Sequence, residues 1–154
     1  MLNSRSTIAG LMGGGVAALL VGCSGGELLQ RFTFEPDAIK PQQTTLTLRK
    51  GERLQFWNSL DLSYQSGLTL AFNISLKPKG VGEESRLICD ALNPSMTFMS
   101  TKVQVQDSIS QAWKQARMRC GFGPLTQDQT LTITAVPQAS GPVQIKRLIL
   151  EVKR

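Results

Sequence analysis

Most of this chain is written in a period of two. Leu68-Thr-Leu70-Ala-Phe72-Asn-Ile74-Ser-Leu76 alternates five large apolar side chains with small or polar ones. Successive side chains of a strand point to opposite faces, so such a run puts one face in a core and the other in water. Shorter runs of the same kind fall at 32–34, 45–48, 54–57, 96–105, 112–120, 130–136 and 143–152, enriched in Thr, Val, Ile and Phe, the residues that suit a pleated surface. Turn-forming residues separate them: Glu35-Pro36-Asp37, Lys50-Gly51-Glu52, 77–82, Asn93-Pro94-Ser95, 121–128 and Ala139-Ser140-Gly141-Pro142. Short strands at this spacing predict an all-β domain, an antiparallel β-sandwich of about eight strands. Periodicity does not record strand order, so Greek-key and jelly-roll arrangements both stay open.

Local features sharpen the expectation. Residues 49–53, Arg-Lys-Gly-Glu-Arg, lie between two alternating runs and predict a tight hairpin, with Gly51 at positive φ and Leu46, Leu48, Leu54 and Phe56 on one core. In 143–152 the phase slips: Val143 and Ile145 share one parity, Leu148, Leu150 and Val152 the other. A β-bulge near Lys146-Arg147 would absorb the extra residue; a strand buried on both faces is the alternative. The stretch 108–118 reads as helix or strand, and the strand is preferred because it keeps Ala112, Ala116, Met118 and Cys120 on the core side. Trp113, Gln115, Arg117 and Arg119 then face out, and Lys114 is left inward, which counts against that reading. Residues 77–94 form the longest irregular stretch, and loops of that length in small domains often carry function.

The first 22 residues follow other rules. Arg5 is their only charged residue, and 8–20 is apolar or glycine throughout. A positive start, a short apolar run and a small-residue site make a signal peptide. The run is shorter than the roughly 20 residues a spanning helix needs. It ends in Leu20-Val21-Gly22-Cys23, which resembles the lipobox of bacterial lipoproteins. The resemblance implies cleavage before Cys23, a diacylglyceryl group on its thiol and a further fatty acyl chain, such as palmitate, on its amine. Membrane lipid then becomes a partner through acylated Cys23. Ser24 follows the cysteine where Asp would imply inner-membrane retention, so the resemblance implies the periplasmic face of the outer membrane. The chain divides into a signal peptide at 1–22, a short lipidated tether at 23–30 with Ser24-Gly25-Gly26 flexible, and a β-sandwich domain at 31–154. A tether of about seven residues spans at most about 25 Å, which keeps the domain close to the membrane.

Composition excludes more than it names. The chain carries 17 Lys and Arg against 11 Asp and Glu, a formal net charge of +6. The basic residues are spread along it, in a pattern open to anionic headgroups, to acidic envelope polymers or to plain solvation of strand faces. No nucleic-acid-binding motif is present, so nucleic acid is not an expected partner. Cys89 and Cys120 are the two cysteines besides Cys23, and an even number in an oxidising compartment predicts a disulfide. There is no histidine, which removes Ser-His-Asp triads, Cys-His pairs and His-rich metal sites. After residue 22 there is no Ser-x-x-Lys, no Gly-x-Ser-x-Gly and no glycine-rich phosphate loop. Glu83, Glu84 and Asp90, with Asn93 nearby, form the one acidic cluster and read as solvated loop charges. No enzyme, metal or cofactor is expected.

The candidate binding patch is Trp113, Arg117, Arg119 and Trp57. Amphipathic rings beside guanidinium groups on an outward sheet face suit recognition; the alternative buries the tryptophans at the sandwich edge. The functional expectation is a lipid-anchored, non-catalytic accessory or scaffold subunit that binds another envelope protein. The second class is a glycan- or small-ligand-binding module at the membrane surface, stacking sugars on Trp57, Tyr64 or Trp113.

Overall fold

The computed structural model describes residues 25–154; the signal segment 1–22 and Cys23 lie outside the described residues. Among the described residues there is no helix. Ten strands follow one another: β1 Leu28–Thr33, β2 Gln42–Leu48, β3 Leu54–Gln65, β4 Leu70–Pro78, β5 Ser85–Asp90, β6 Met96–Phe98, β7 Thr101–Val105, β8 Ser108–Phe122, β9 Gln129–Ala139 and β10 Val143–Lys153. One sheet runs β1-β10-β3-β8, with β6 and β7 both laid along the free side of β8; the facing sheet runs β2-β9-β4-β5. The antiparallel pairs nest: β4 with β5, β3 with β8, β2 with β9 and β1 with β10. This is one long antiparallel ribbon folded at the β4–β5 turn and rolled until β10 meets β3 and β9 meets β4. The order is that of a jelly roll, which decides the alternative that periodicity left open.

Alternation writes both inner faces. Leu70, Phe72, Ile74 and Leu76 of β4 and Leu131, Ile133 and Ala135 of β9 are buried against Leu54, Phe56, Leu60 and Leu62 of β3 and Leu148, Leu150 and Val152 of β10. Phe34, just past β1, meets Phe72 across the interior with ring centroids 5.9 Å apart. Cys89 of β5 and Cys120 of β8 form the expected disulfide, joining the two sheets with a Cα–Cα distance of 5.4 Å.

Several details differ from the sequence reading. There are ten strands rather than eight. β5 occupies 85–90 of the stretch expected to be irregular. Its alternation is short, with Leu87 and Cys89 turned in and Ile88 exposed on a sheet edge, so it gives little signal. The run 96–105 is two strands, broken where Met99 takes a φ of 53°. β1 begins at Leu28, so Leu28, Leu29 and Gln30 of the expected tether belong to the sheet. Residues 49–53 form a tight turn with Gly51 at φ 86°, but β2 and β3 leave it for opposite sheets, so it is a crossover and not a hairpin. Leu48 and Leu54 face one core either way, which is why alternation could not tell the two apart. The turn is held by the β8–β9 loop: the Gly51 N–H donates to the Leu125 carbonyl at 2.8 Å and the Lys50 N–H to Asp128 Oδ1 at 2.7 Å.

Bulges set which way the later strands point. In β10, Ile145 pairs with Leu62 and Arg147 with Asp61, so Lys146 is the extra residue and both apolar sets turn inward, as the phase slip implied. A second parity-changing bulge lies in β8: Asn58 pairs with Ala116 and Leu60 with Trp113, so three steps of β8 match two of β3, while a further shift between Gln55 and Trp57 adds two residues and leaves the parity unchanged. Arg147 serves both irregularities. Its guanidinium donates to Ser59 Oγ at 2.9 Å, to the Leu60 carbonyl at 3.2 Å and to the Trp113 carbonyl at 3.0 Å, occupying carbonyl oxygens beside the disturbed ladder.

The disulfide closes a loop of 31 residues between the sheets. Its removal by reduction should lower unfolding free energy by about 3–4 kcal/mol on the chain-entropy scale. Urea denaturation with and without reductant measures this; equal midpoints would contradict it.

Candidate functional site

The outer face of the six-stranded sheet carries one row of side chains that crosses five of its strands, all but β7. Arg31 of β1 lies opposite Glu151 of β10, Glu151 opposite Trp57 of β3, Trp57 opposite Arg117 of β8, and Arg117 opposite Met96 of β6. Directly opposed residues of antiparallel strands share a face, so the row is continuous. Trp57 points outward because the inner parity of β3 belongs to Leu54, Phe56 and Leu60.

Outward does not mean exposed. Trp57 is 2% accessible. Phe98 of β6 stacks on it at 6.3 Å between centroids and 19° between planes, and the Lys153 ammonium sits 4.5 Å from the ring centroid, within cation–π range. The N-terminal segment covers another part of the ring. Gly25 and Gly26 have φ of 66° and 98°. A Cβ on Gly25 would overlap the Trp57 ring, and one on Gly26 would lie 2.5 Å from the Arg154 carbonyl oxygen. Glu27 and Arg154 exchange backbone hydrogen bonds at 2.9 and 3.0 Å, extending the β1–β10 ladder. These two glycines, expected to be flexible, are therefore packed on the domain. Among the described residues the buried Trp57 indole N–H has no partner.

Glu151 is the acidic member of the row and is nearly inaccessible. Arg31 reaches it at 2.7 Å and Lys153 at 3.4 Å, while Gln115 donates to its second oxygen at 3.3 Å. A carboxylate this buried needs such compensation. At the end of the ladder Arg154 bridges Glu27 at 2.8 Å and Glu52 at 3.2 Å. The Glu27 hydrogen bond pushes the Arg154 pKa further up.

The structure brings together two of the four residues of the expected patch. Trp57 and Arg117 are opposite neighbours. Arg119 lies further along β8 and is exposed, and its guanidinium donates to the Asn93 and Pro94 carbonyls at 3.2 and 3.5 Å. Trp113 is not in the patch. It points into the core at 2% accessibility, where its indole N–H donates to Asn58 Oδ1 and the Asn58 amide donates to the Ala91 carbonyl at 3.1 Å. The outward expectation carried the parity of Cys120 back through the β8 bulge, and the bulge inverts it. The same bulge frees Lys114, which is exposed. Sequence reasoning missed Phe98, Lys153 and Gly25 as neighbours of Trp57. The legible sign was an apolar pair, Met96 and Phe98, in a strand whose every residue is exposed.

The remaining candidates are structural. Tyr64 lies on the inner side and its hydroxyl donates to Gln111 Oε1 at 2.6 Å; burial pushes its pKa up. Glu84 accepts hydrogen bonds from Ser75 and from Arg86, which hold its carboxyl below the usual range. Asp90 accepts the Leu92 N–H at 2.9 Å. Among the described residues no group of three or more His, Cys, Asp or Glu side chains is placed to hold a metal ion, and no helix is long and apolar enough to cross a membrane.

The second exposed feature is the strand edge. Every residue of β6 and β7 is exposed, with Val103 at 61% and Val105 at 66%. β7 pairs with β8 on one side only. No protein-family model, curated protein or solved structure matches this chain.

Gly25→Ala should lift the N-terminal segment off Trp57 without touching the core. The expected outcome is a red-shifted component of tryptophan emission that iodide quenches, with Trp113 staying shielded. Emission and quenching identical to wild type would contradict the contact.

Proposed function

We propose that this chain is a lipid-anchored envelope protein, held through acylated Cys23 at the periplasmic face of the outer membrane. On this reading it acts as a non-catalytic accessory or scaffold subunit that docks another envelope protein. The anchor rests on the resemblance of Leu20-Val21-Gly22-Cys23 to a lipobox and on Ser24 after it. The docking rests on one observation, the open β7 edge. Among the described residues no strand pairs with its outer side, and Val103 and Val105 stand exposed beside the backbone groups there. Edge strands are commonly blunted by charge or proline; β7 carries only Lys102. A partner strand added there would satisfy the backbone and cover the valines. The glycan-binding alternative draws on Trp57, Tyr64 and Trp113 as stacking platforms; all three rings are buried, so the open β7 edge favours the docking reading.

The test is affinity capture from native envelopes in mild detergent, with mass spectrometry of what co-purifies. Wild type should bring down one stoichiometric protein, and the double variant Val103→Lys/Val105→Lys should lose it while keeping its melting temperature. No stoichiometric protein with wild type, or the same one with the variant, would contradict the proposal.

A further inference from the structure

We infer that the other half of this edge, β6 with Met99, is a bilayer-contact element. Met96, Phe98 and Met99 enter the interfacial layer while Arg117 and Arg119 face anionic headgroups. The inference rests on the lipid-anchor reading of Cys23 and adds to it a fixed orientation of the domain.

The packing of Gly25 carries the argument. Gly25 packs on Trp57, and Phe98 stacks on the same ring. Cys23 is two residues before Gly25, a reach of about 7 Å at full extension. A lipid on Cys23 therefore holds the bilayer within side-chain distance of β6, with no stalk between. What faces the membrane there is apolar: Met99 is 73% exposed, and Met96 and Phe98 are each nearly half exposed. Such side chains gain by leaving water for the headgroup–acyl boundary.

Charge agrees. Arg117 lies between Trp57 and Met96 in the cross-sheet row, and Arg119 is exposed two residues further along β8. The acid of that row, Glu151, is already engaged by Arg31 and Lys153, so the face meets an anionic surface with its positive charge uncancelled. β7 points the other way along the sheet. From Trp57 to Gln65 at the far end of β3 is about 26 Å at strand rise, so Val105 stands clear of the bilayer.

The test uses the full mature lipoprotein purified from expressing cells, its N-terminal acylation read by intact mass. It is reconstituted in phosphatidylethanolamine–phosphatidylglycerol vesicles with a nitroxide at Met99→Cys or Val105→Cys. With acylated protein, vesicles should lower collision of a water-soluble nickel chelate with the Met99 label severalfold and raise its oxygen collision, leaving the Val105 label as it is in detergent. Acylated protein whose Met99 label stays as wet as Val105 would overturn the bilayer contact and leave the anchor standing. A Met99 label shielded from the nickel chelate in vesicles with no gain in oxygen collision would mean protein covers it, again overturning the contact. An unmodified Cys23 with no vesicle binding would overturn both readings.

Discussion

Two sheets share a single apolar interior, and each can bury its face only against the other. That mutual dependence sets the rest of the molecule. Alternate side chains of the paired strands go inward, which fixes register in each ladder because a slip by one residue would turn an apolar set into water. It also explains the bulges. In β8 and β10 the apolar parity changes partway, and one extra residue in each strand lets both halves face in. Arg147, bridging β10 to Ser59, Leu60 and Trp113, joins the two irregularities into one. The Cys89–Cys120 bond closes the slab at the edge where β5 faces β8.

The inward face was legible and the neighbours were not. Leu70, Phe72, Ile74 and Leu76 declare β4 without help, and Val143 to Val152 declared even the bulge, because large side chains stand on both sides of the slip. The β8 bulge is hidden: Ala112 and Ala116 flank Trp113 and Lys114-Gln115, and alanine marks parity weakly, so alternation puts Ala112 inward and Trp113 outward, whereas Ala112 faces out opposite Asp61 and Trp113 faces in. Pairing partners leave no trace in alternation, and the 49–53 turn was therefore read as a hairpin although its strands go to different sheets. The patch fared similarly. Trp57 and Arg117 follow from parity, but Phe98, Lys153 and Gly25 reach Trp57 through pairings that only the rolled ribbon creates.

The outer face then divides by distance from the chain's N-terminal end. Near Gly25 it is aromatic, apolar and basic; at the far end of the same edge β7 offers backbone and two valines. On the proposed reading the first half meets lipid and the second a protein strand, so the domain would stand as a short post with its docking edge held at a fixed height. Such a role needs a rigid body and a defined orientation, and the Gly25–Trp57 contact, the Arg154 clasp and the disulfide each serve rigidity. It needs no catalytic group.

The most direct measurement is photo-cross-linking in intact cells from a photoreactive amino acid in place of Val103, with Ile88 on the edge of the other sheet, 76% exposed, as the reference position. A docking subunit working through β7 gives one dominant protein adduct from position 103 and none of it from position 88. No adduct at 103, or the same set of adducts from both positions, would contradict the account.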